Sequence, residues 1–234
     1  MIGVYNYTVL LTYLSLLTSG AGIVISLYGP GHPYMGTICL LLCGLFDAFD
    51  GKVARTKADR TDMEKKFGVQ IDSLSDLVAF GVLPASIGAA FIRVSPYFND
   101  KLNIDGIKWY NRSIRIFVYA ILVLYILFAM IRLAYFNVTE EERQKTETGK
   151  RKYYLGMPVT LSAMFFPTVA TLQYIIPVDL TWIYILTAVI VGILFVTPFK
   201  MKKPGFKEMF FMITVGTIEV AALIVTMIIR HYAK

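Results

Sequence analysis

The chain has 234 residues, of which 56% are hydrophobic and 17% charged, and its formal net charge is +7. A mean hydropathy of +0.61 argues against an ordinary soluble domain and indicates a protein that crosses the membrane several times. The positive residues are concentrated in the loops between apolar runs, so the net charge does not indicate a nucleic-acid partner.

Seven apolar runs approach or exceed the length of about 20 residues that a membrane-spanning helix needs. They cover residues 6–27, 34–54, 69–92, 114–137, 157–176, 180–197 and 208–229. Helices are expected because a helix satisfies its own backbone hydrogen bonds in lipid. The sequence therefore predicts one all-α integral membrane domain over residues 1–234.

The basic residues are distributed unevenly between the two sides of the predicted spans. If the amino terminus is cytoplasmic and the spans alternate, fourteen Lys and Arg residues lie in cytoplasmic loops and six lie outside. Positive charge is enriched on the cytoplasmic side of membrane proteins, and it also attracts anionic lipid headgroups. The expected location is the cell membrane, with the loop at 55–67 in the cytoplasm.

Two pairs of aspartates lie where the second span ends and the third begins. Asp47 and Asp50 are three residues apart, and Asp72 and Asp76 are four apart, so each pair shares one helix face. The short connection makes the two helices antiparallel neighbours. The four carboxylates are therefore expected to meet near the cytoplasmic face.

Such an acidic cluster is costly unless something neutralises it. One Asp at the centre of a bilayer costs about 2.5–3.5 kcal/mol, and four like charges also repel one another. Carboxylates without His or Cys are typical ligands of hard divalent cations. We therefore expect Asp47, Asp50, Asp72 and Asp76 to hold one or two ions of Mg²⁺ or Mn²⁺, and Ca²⁺ could occupy the same site.

Small residues and one arginine accompany these acids. Gly51 and Ala54 remove side-chain bulk beside the first pair, and Gly68 does so before the second. A base or a pyrophosphate could approach the backbone there, although small residues also permit close helix packing. Arg55 could pair with a phosphate oxygen or extend to the membrane interface. These residues are thus compatible with phosphate chemistry and with packing.

The chain contains the motif Asp47-x-x-Asp50-Gly51-x-x-Ala54-Arg55 and then Gly68-x-x-x-Asp72-x-x-x-Asp76, which resembles the signature of the CDP-alcohol phosphotransferase family. Further stretches are similar to the bacterial and archaeal phosphatidylserine synthase branch of that family. They are DSLSDLVAFGVLPA, RLAYFN, GMP and PFK, at 72–85, 132–137, 156–158 and 198–200. Twelve residues separate Arg55 from Gly68, more than is usual in the family, which indicates a longer cytoplasmic turn.

This resemblance implies a six-helix core at about residues 1–200, usually homodimeric, with a cavity open to the cytoplasm. The helix at about 205–231 would be an addition to that core. The implied metal ligands are Asp47, Asp50, Asp72 and Asp76, and Asp76 would also be the catalytic base. Gly51, Ala54 and Gly68 would accommodate the cytidine, and Arg55 would lie beside the diphosphate.

The implied reaction transfers a phosphatidyl group from CDP-diacylglycerol, or an archaetidyl group from CDP-archaeol, to the hydroxyl of L-serine and releases CMP. Arg132 is a candidate contact for a substrate phosphate or the serine carboxylate, and Lys52 and Lys200 are weaker candidates. Inositol phosphate and glycerol 3-phosphate are alternative acceptors. A divalent-cation transporter is an alternative of another class, although transport sites usually lie near the bilayer midplane.

Overall fold

The computed structural model describes residues 3–29, 31–98, 108–146, 153–176, 178–202 and 205–232. Its α-helices are α1 (Leu10–Leu27), α2 (Pro33–Ala54), α3 (Asp62–Asp76), α4 (Leu83–Val94), α5 (Lys108–Thr146), α6 (Ser162–Ile175), α7 (Thr181–Val196) and α8 (Phe206–Tyr232). Short 3₁₀ turns at Tyr7–Val9 and Val159–Leu161 lead into α1 and α6.

Four described helices are long and apolar enough to cross a membrane. They are Tyr7–Leu27, Asp62–Val94, Arg112–Thr146 and Lys207–Arg230, and shorter apolar helices lie at Val159–Ile175 and Thr181–Val196. α2 has 22 residues and carries its acids near the carboxyl end. All seven predicted runs are thus helical, and the prediction of a multi-pass helical membrane protein is confirmed.

α3 begins earlier than the predicted third span, which starts at residue 69. It begins at Asp62 because Thr61 and Glu64 form a capping box. Thr61 Oγ1 accepts a hydrogen bond from the Glu64 N–H (3.1 Å), and the Glu64 carboxylate accepts one from the Thr61 N–H (2.9 Å). The non-helical connection after α2 is therefore much shorter than the polar stretch at 55–67 suggested.

α5 extends beyond the predicted span of 114–137 at both ends. Its carboxyl end carries an ion pair between Arg143 and Glu140 (2.6 Å) and another between Lys145 and Glu141 (3.5 Å). Ion pairs three or four residues apart stabilise a helix where its side chains are exposed to water. The extension carries polar side chains of α5 towards the start of α3.

A π-helical turn at Leu77–Val82 joins α3 to α4 without a break. Pro84 follows it and has no N–H to donate to the preceding turn. The freed carbonyl of Phe80 accepts hydrogen bonds from the hydroxyls of Tyr125 (2.6 Å) and Ser162 (3.2 Å). These contacts fix the third span against α5 and α6 just beyond its acidic end.

The buried core is an aromatic cluster between α4, α5, α6 and α7. Tyr184 lies 5.1 Å from Phe91 and 5.0 Å from Phe166, measured between ring centroids. Tyr125 lies 5.3 Å from Phe166 and 5.6 Å from Phe195. These distances are typical of favourable ring contacts, so the cluster packs α4, α5, α6 and α7 against one another.

α1 packs closely against α2 and α3. A Cβ atom at Gly22 would lie only 2.7 Å from the Cβ of Cys39, so α1 and α2 approach each other as closely as a glycine permits. Ser75 Oγ donates a hydrogen bond to the Thr12 carbonyl (3.2 Å). The amino-terminal half of α1 is thereby held beside the acidic part of α3.

Two short strands, β1 (Tyr153–Leu155) and β2 (Lys200–Lys202), form an antiparallel ribbon. Gly156 follows β1 with φ +77°, a conformation that favours glycine. Its N–H donates to the Phe199 carbonyl (2.7 Å), and a Cβ there would lie 3.1 Å from the Thr197 carbonyl. The ribbon thus ties the entry to α6 to the exit from α7.

Candidate active site

Three of the four predicted aspartates converge between the carboxyl-terminal parts of α2 and α3. Asp47, Asp50 and Asp72 are partly buried, and each offers a carboxylate oxygen within 4.8 Å of the others. Asp76 is not a member of this triad, but it interacts electrostatically with all three of its members. The acids thus face one another, as the helical spacing predicted.

The Asp triad fits a hard divalent cation. Oxygen ligands lie at about 2.0–2.6 Å from Mg²⁺ or Ca²⁺, so two ligands of one ion are separated by at most about 4–5 Å. The triad oxygens lie within 4.8 Å of one another and so satisfy that limit. Within the part of the chain that the structure describes, no other three His, Cys, Asp or Glu side chains meet the same criterion. The triad could therefore hold a metal, although carboxylates alone do not select Mg²⁺ over Mn²⁺.

A cavity of about 340 Å³, here called the polar cavity, opens beside the triad. Its lining includes Asp50, Asp72 and all four residues predicted for the CDP moiety, namely Gly51, Ala54, Arg55 and Gly68. The remaining lining residues are Thr8, Val9, Thr12, Arg60, Lys65, Val69 and Gln144. The fold thus brings the predicted residues of α2 and α3 onto one cavity, which α1 and α5 help to close.

Two glycines in this lining have arginine side chains against them. At Gly51 a Cβ would lie 3.4 Å from Nη1 of Arg55, which is ordinary van der Waals contact. At Gly68 a Cβ would lie 2.7 Å from Nη2 of Arg60, which is too close for the present position of that guanidinium. The absence of a side chain at position 68 therefore makes room for an arginine.

Arg60, Lys65 and Gln144 were not predicted to line the site. In the sequence they are ordinary polar residues of a loop and of two helix ends, and no spacing connects them to the acids. Their places depend on the early start of α3 and the late end of α5. The sequence contains one signal for additional site residues here, namely that more residues separate Arg55 from Gly68 than is usual in the family.

Glu64 holds the connection between α2 and α3 in place. Its Oε1 accepts hydrogen bonds from Lys57 Nζ (2.7 Å) and from Asn6 Nδ2 (2.8 Å). The hydrogen bond to Glu64 raises the pKa of the Lys57 ammonium group above its usual value. Together with the capping box at Thr61, these contacts tie the connection to α3 and to the segment before α1.

The three basic residues predicted to contact the acceptor do not line the polar cavity. Arg132 is buried, and its Nε donates to the Met157 carbonyl (2.8 Å), so it supports the turn before α6. Lys52 Nζ lies 3.3 Å from the sulfur of Met209 on α8, and Lys200 is exposed on β2. Contacts from these side chains to substrate stay predictions.

A second cavity of about 470 Å³, here called the apolar cavity, lies between α2, α6 and α8 and includes Asp47 in its lining. Most of its other lining residues are aliphatic or methionine, and on one side Gly216 of α8 faces Leu41 of α2. Glu219 of α8 is buried in this wall and accepts a hydrogen bond from Thr168 (2.6 Å). An apolar space between α2, α6 and α8 thus reaches the acidic cluster.

Comparison with known proteins gives a family and several relatives. The family model described as CDP-alcohol phosphatidyltransferase matches residues 5–229. A CDP-diacylglycerol–serine O-phosphatidyltransferase of Helicobacter pylori is 26% identical over 191 residues, which are 80% of this chain and 68% of the relative. The enzyme of that name from Saccharomyces cerevisiae is 34% identical over 136 residues, 57% of this chain and 41% of the relative. The archaetidylserine synthase of Methanothermobacter thermautotrophicus is 33% identical over 154 residues, 64% of this chain and 53% of the relative.

Proposed function

Because the chain belongs to the CDP-alcohol phosphatidyltransferase family, we propose that it transfers a lipid phosphatidyl group to the hydroxyl of L-serine. The donor is CDP-diacylglycerol or CDP-archaeol, and the second product is CMP. The observation that carries the proposal is the polar cavity, which is lined by Asp50 and Asp72 together with the glycines and the arginine of the family motif. The names of the bacterial, yeast and archaeal relatives support serine as the acceptor.

The Asp triad is the proposed metal site, with Mg²⁺ or Mn²⁺ as the ion and Asp76 as a further ligand or neighbour. A bound divalent ion neutralises diphosphate charge and stabilises the phosphate of the leaving CMP. The chain contributes the geometry, because Asp47 and Asp50 come from one helix and Asp72 from its neighbour. The packing of these two helices places the carboxylate oxygens within 4.8 Å of one another.

The polar cavity is the proposed site of the CDP moiety. Gly51, Ala54 and Gly68 line the cavity with little side-chain bulk of their own, and Arg55 is placed to pair with diphosphate oxygens. Binding in this cavity fixes the lipid-side phosphorus near the triad. Holding donor and acceptor side by side lowers the entropic part of the activation barrier, because the reactants no longer have to meet in solution.

Asp76 is the proposed base. The serine oxygen forms a bond to the lipid-side phosphorus, the bond from that phosphorus to the bridging oxygen breaks, and CMP leaves with that oxygen. The proton of the serine hydroxyl passes to the Asp76 carboxylate, which lies on α3 one turn beyond Asp72. The hydrogen bonds at the π-helical turn hold the backbone that follows Asp76.

The apolar cavity is the proposed site for part of the lipid tails. Its lining is largely apolar and also contains Asp47, so a tail lying there would leave its phosphate beside the acids.

Serine and CMP are water-soluble, whereas the donor must remain in the bilayer. A site at the end of two membrane helices serves both needs, and the basic loops support a cytoplasmic orientation in the cell membrane. A homodimer is proposed from the family resemblance.

The acceptor is tested by measuring CMP release by the purified protein with either CDP-lipid and Mg²⁺ or Mn²⁺. Serine, glycerol 3-phosphate and inositol phosphate are added one at a time, with Asp76→Asn as the control variant. We expect release with serine alone and a loss of at least about 100-fold in the control, since general base catalysis contributes about 10²–10⁴-fold. Release driven by a phosphorylated acceptor would contradict the serine assignment, and metal uptake without CMP release would favour a transporter.

A further inference from the structure

Arg60 lies in the connection between α2 and α3, yet its side chain lines the polar cavity. Its Nη1 donates to the Ala54 carbonyl at the end of α2 (3.5 Å), and its Nη2 donates to the Glu64 carbonyl in the first turn of α3 (3.3 Å). The guanidinium therefore bridges the two helices that carry the acids. Its position is defined by backbone groups, which do not depend on the rotamer of another side chain.

One donor of this guanidinium has no acceptor. Nε of Arg60 is shielded from solvent and has no hydrogen-bond partner among the described residues. A buried donor of a charged group is costly to leave unsatisfied, and native proteins rarely do so. Because arginine carries only donors, the missing partner must be an acceptor. Arg60 lines the polar cavity, so a ligand there could supply the acceptor once the guanidinium turns towards it.

The position of Arg60 along the cavity indicates which part of a nucleotide it meets. On α3 the lining runs from Asp72 to Gly68 and then to Lys65, and each helical turn advances by about 5.4 Å. The Arg60 guanidinium rests on Gly68, one turn from Asp72. If the diphosphate lies beside Asp50 and Asp72, the nucleoside end extends towards Arg60.

We propose that Arg60 binds the base of the CDP moiety and donates hydrogen bonds to the acceptor edge of cytosine. Cytosine presents two adjacent acceptors, O2 and N3, whereas uracil has an N–H donor at position 3. A guanidinium therefore favours cytosine over uracil. The inference deepens the proposed function and rests on it, and it gives a role in base recognition to a residue outside the family motif. Gly68 then has the further role of giving this arginine room.

The test is the binding of CMP, UMP and inorganic pyrophosphate to the purified full chain, measured by titration calorimetry at a fixed free Mg²⁺ concentration. In Arg60→Gln we expect CMP binding to weaken by at least about tenfold, as is typical for the loss of a hydrogen bond to a charged group. Pyrophosphate should bind within about twofold of wild type, because it uses the acid end of the cavity. The preference of the wild type for CMP over UMP should largely disappear.

Lys66→Gln is the matched control. Lys66 is exposed on α3, near Arg60 in sequence, and lines a surface depression with Asp62, Met63, Phe67 and Gln70. The Lys66→Gln variant loses one positive charge from the same region as Arg60→Gln does, but it should bind CMP as the wild type does. Arg60→Lys keeps the charge without the planar fork, so we expect it to bind CMP more weakly than wild type and to discriminate less against UMP. If Arg60→Gln does not fold, Arg60→Lys tests the role of Arg60 by the same binding measurements.

The outcomes separate the two proposals. A wild-type protein that binds pyrophosphate but not CMP would overturn both the proposed function and the role of Arg60. A wild type that binds CMP, with Arg60→Gln binding it equally well, would overturn the role of Arg60 alone. Equal losses of CMP and pyrophosphate binding would also overturn it, because they would indicate a general effect of charge or of folding.

Discussion

Asp47, Asp50 and Asp72 were predicted to meet because residues three or four apart share a helix face and a short connection makes two helices neighbours. That reasoning needs only local periodicity, so it was sufficient to predict the triad and the glycines around it. Local periodicity could not predict the position of Arg60, whose side chain donates hydrogen bonds to the backbone carbonyls of Ala54 and Glu64. Such contacts exist only once the loop has folded, so a basic loop residue and a site residue look alike in the sequence.

Removal of one triad carboxylate should reduce metal binding. In the wild type, Mg²⁺ or Mn²⁺ should raise the melting temperature, since a ligand at 100 times its Kd stabilises by about 2.7 kcal/mol. Asp50→Asn should show a much smaller rise, and without metal it should be at least as stable as the wild type because one repelling charge is gone. The measurement is a thermal unfolding curve in detergent with and without metal.

Asp59→Asn is the control for this experiment. Asp59 is an exposed aspartate in the connection after α2 and does not belong to the triad. It should retain the full metal-dependent shift. An undiminished shift in Asp50→Asn would show that the triad is not the metal site.

The elements show where local signals were sufficient and where tertiary contacts were needed. Apolar runs located the seven helical stretches, four of which belong to helices long and apolar enough to cross a membrane. The start of α3 was missed although the signal, Thr61 followed three residues later by Glu64, is present in the sequence. The π-helical turn was not predictable in the same way. Pro84 indicates a disturbance, but its form depends on the hydroxyls of Tyr125 and Ser162.

The close approach of α1 and α2 should make Gly22 sensitive to any added side chain. Gly22→Ala places a Cβ 2.7 Å from that of Cys39, so the helices must separate. We expect a loss of about 1–3 kcal/mol in unfolding free energy, as for other overpacked sites. Gly20→Ala is the matched control, since no atom lies within 4 Å of its Cβ position, and it should be neutral or slightly stabilising. Equal unfolding curves for both variants in detergent would contradict this packing.

The hydrogen bonds at the π-helical turn should matter for activity as well as for stability. Tyr125→Phe combined with Ser162→Ala removes both side-chain donors to the Phe80 carbonyl. Leaving a buried carbonyl unsatisfied should cost about 1–3 kcal/mol. Because the turn follows Asp76 directly, we also expect slower CMP release with little change in CMP affinity. If kcat is unchanged in the folded double variant, the turn does not position Asp76.

At the scale of the whole molecule, two cavities of opposite character meet at the acidic cluster. Asp50 lines the polar cavity and Asp47 lines the apolar cavity. The sequence predicted acids near one membrane face, and the family resemblance implied a cavity open to the cytoplasm, but the apolar cavity was not predicted. The walls of both cavities come from helices distant in the chain, and α8 supplies much of the apolar one. The match to the family model continues through α8 to residue 229, and the status of α8 as an addition to a six-helix core stays a prediction.

Filling the apolar cavity should affect long lipid tails most. Gly216→Trp places a large ring opposite Leu41, inside the cavity. We expect KM for a long-chain CDP-diacylglycerol to rise several-fold, with a smaller rise for a dioctanoyl analogue whose tails need less space. Ile218→Trp lies on an exposed part of α8 and should leave both KM values near wild type. A uniform change with both donors would argue against lipid tails in this cavity.

The most direct test of the central claim is the stoichiometry of products in reconstituted vesicles. Wild-type protein receives CDP-diacylglycerol, labelled serine and Mg²⁺ or Mn²⁺, and both CMP and serine-containing lipid are quantified over time. We expect equal amounts of the two products, no reaction without the metal, and a loss of at least about 100-fold in Asp72→Asn, because this change removes a ligand of the ion that would stabilise transition-state charge. CMP formed without serine entering lipid, or full activity in Asp72→Asn, would contradict it.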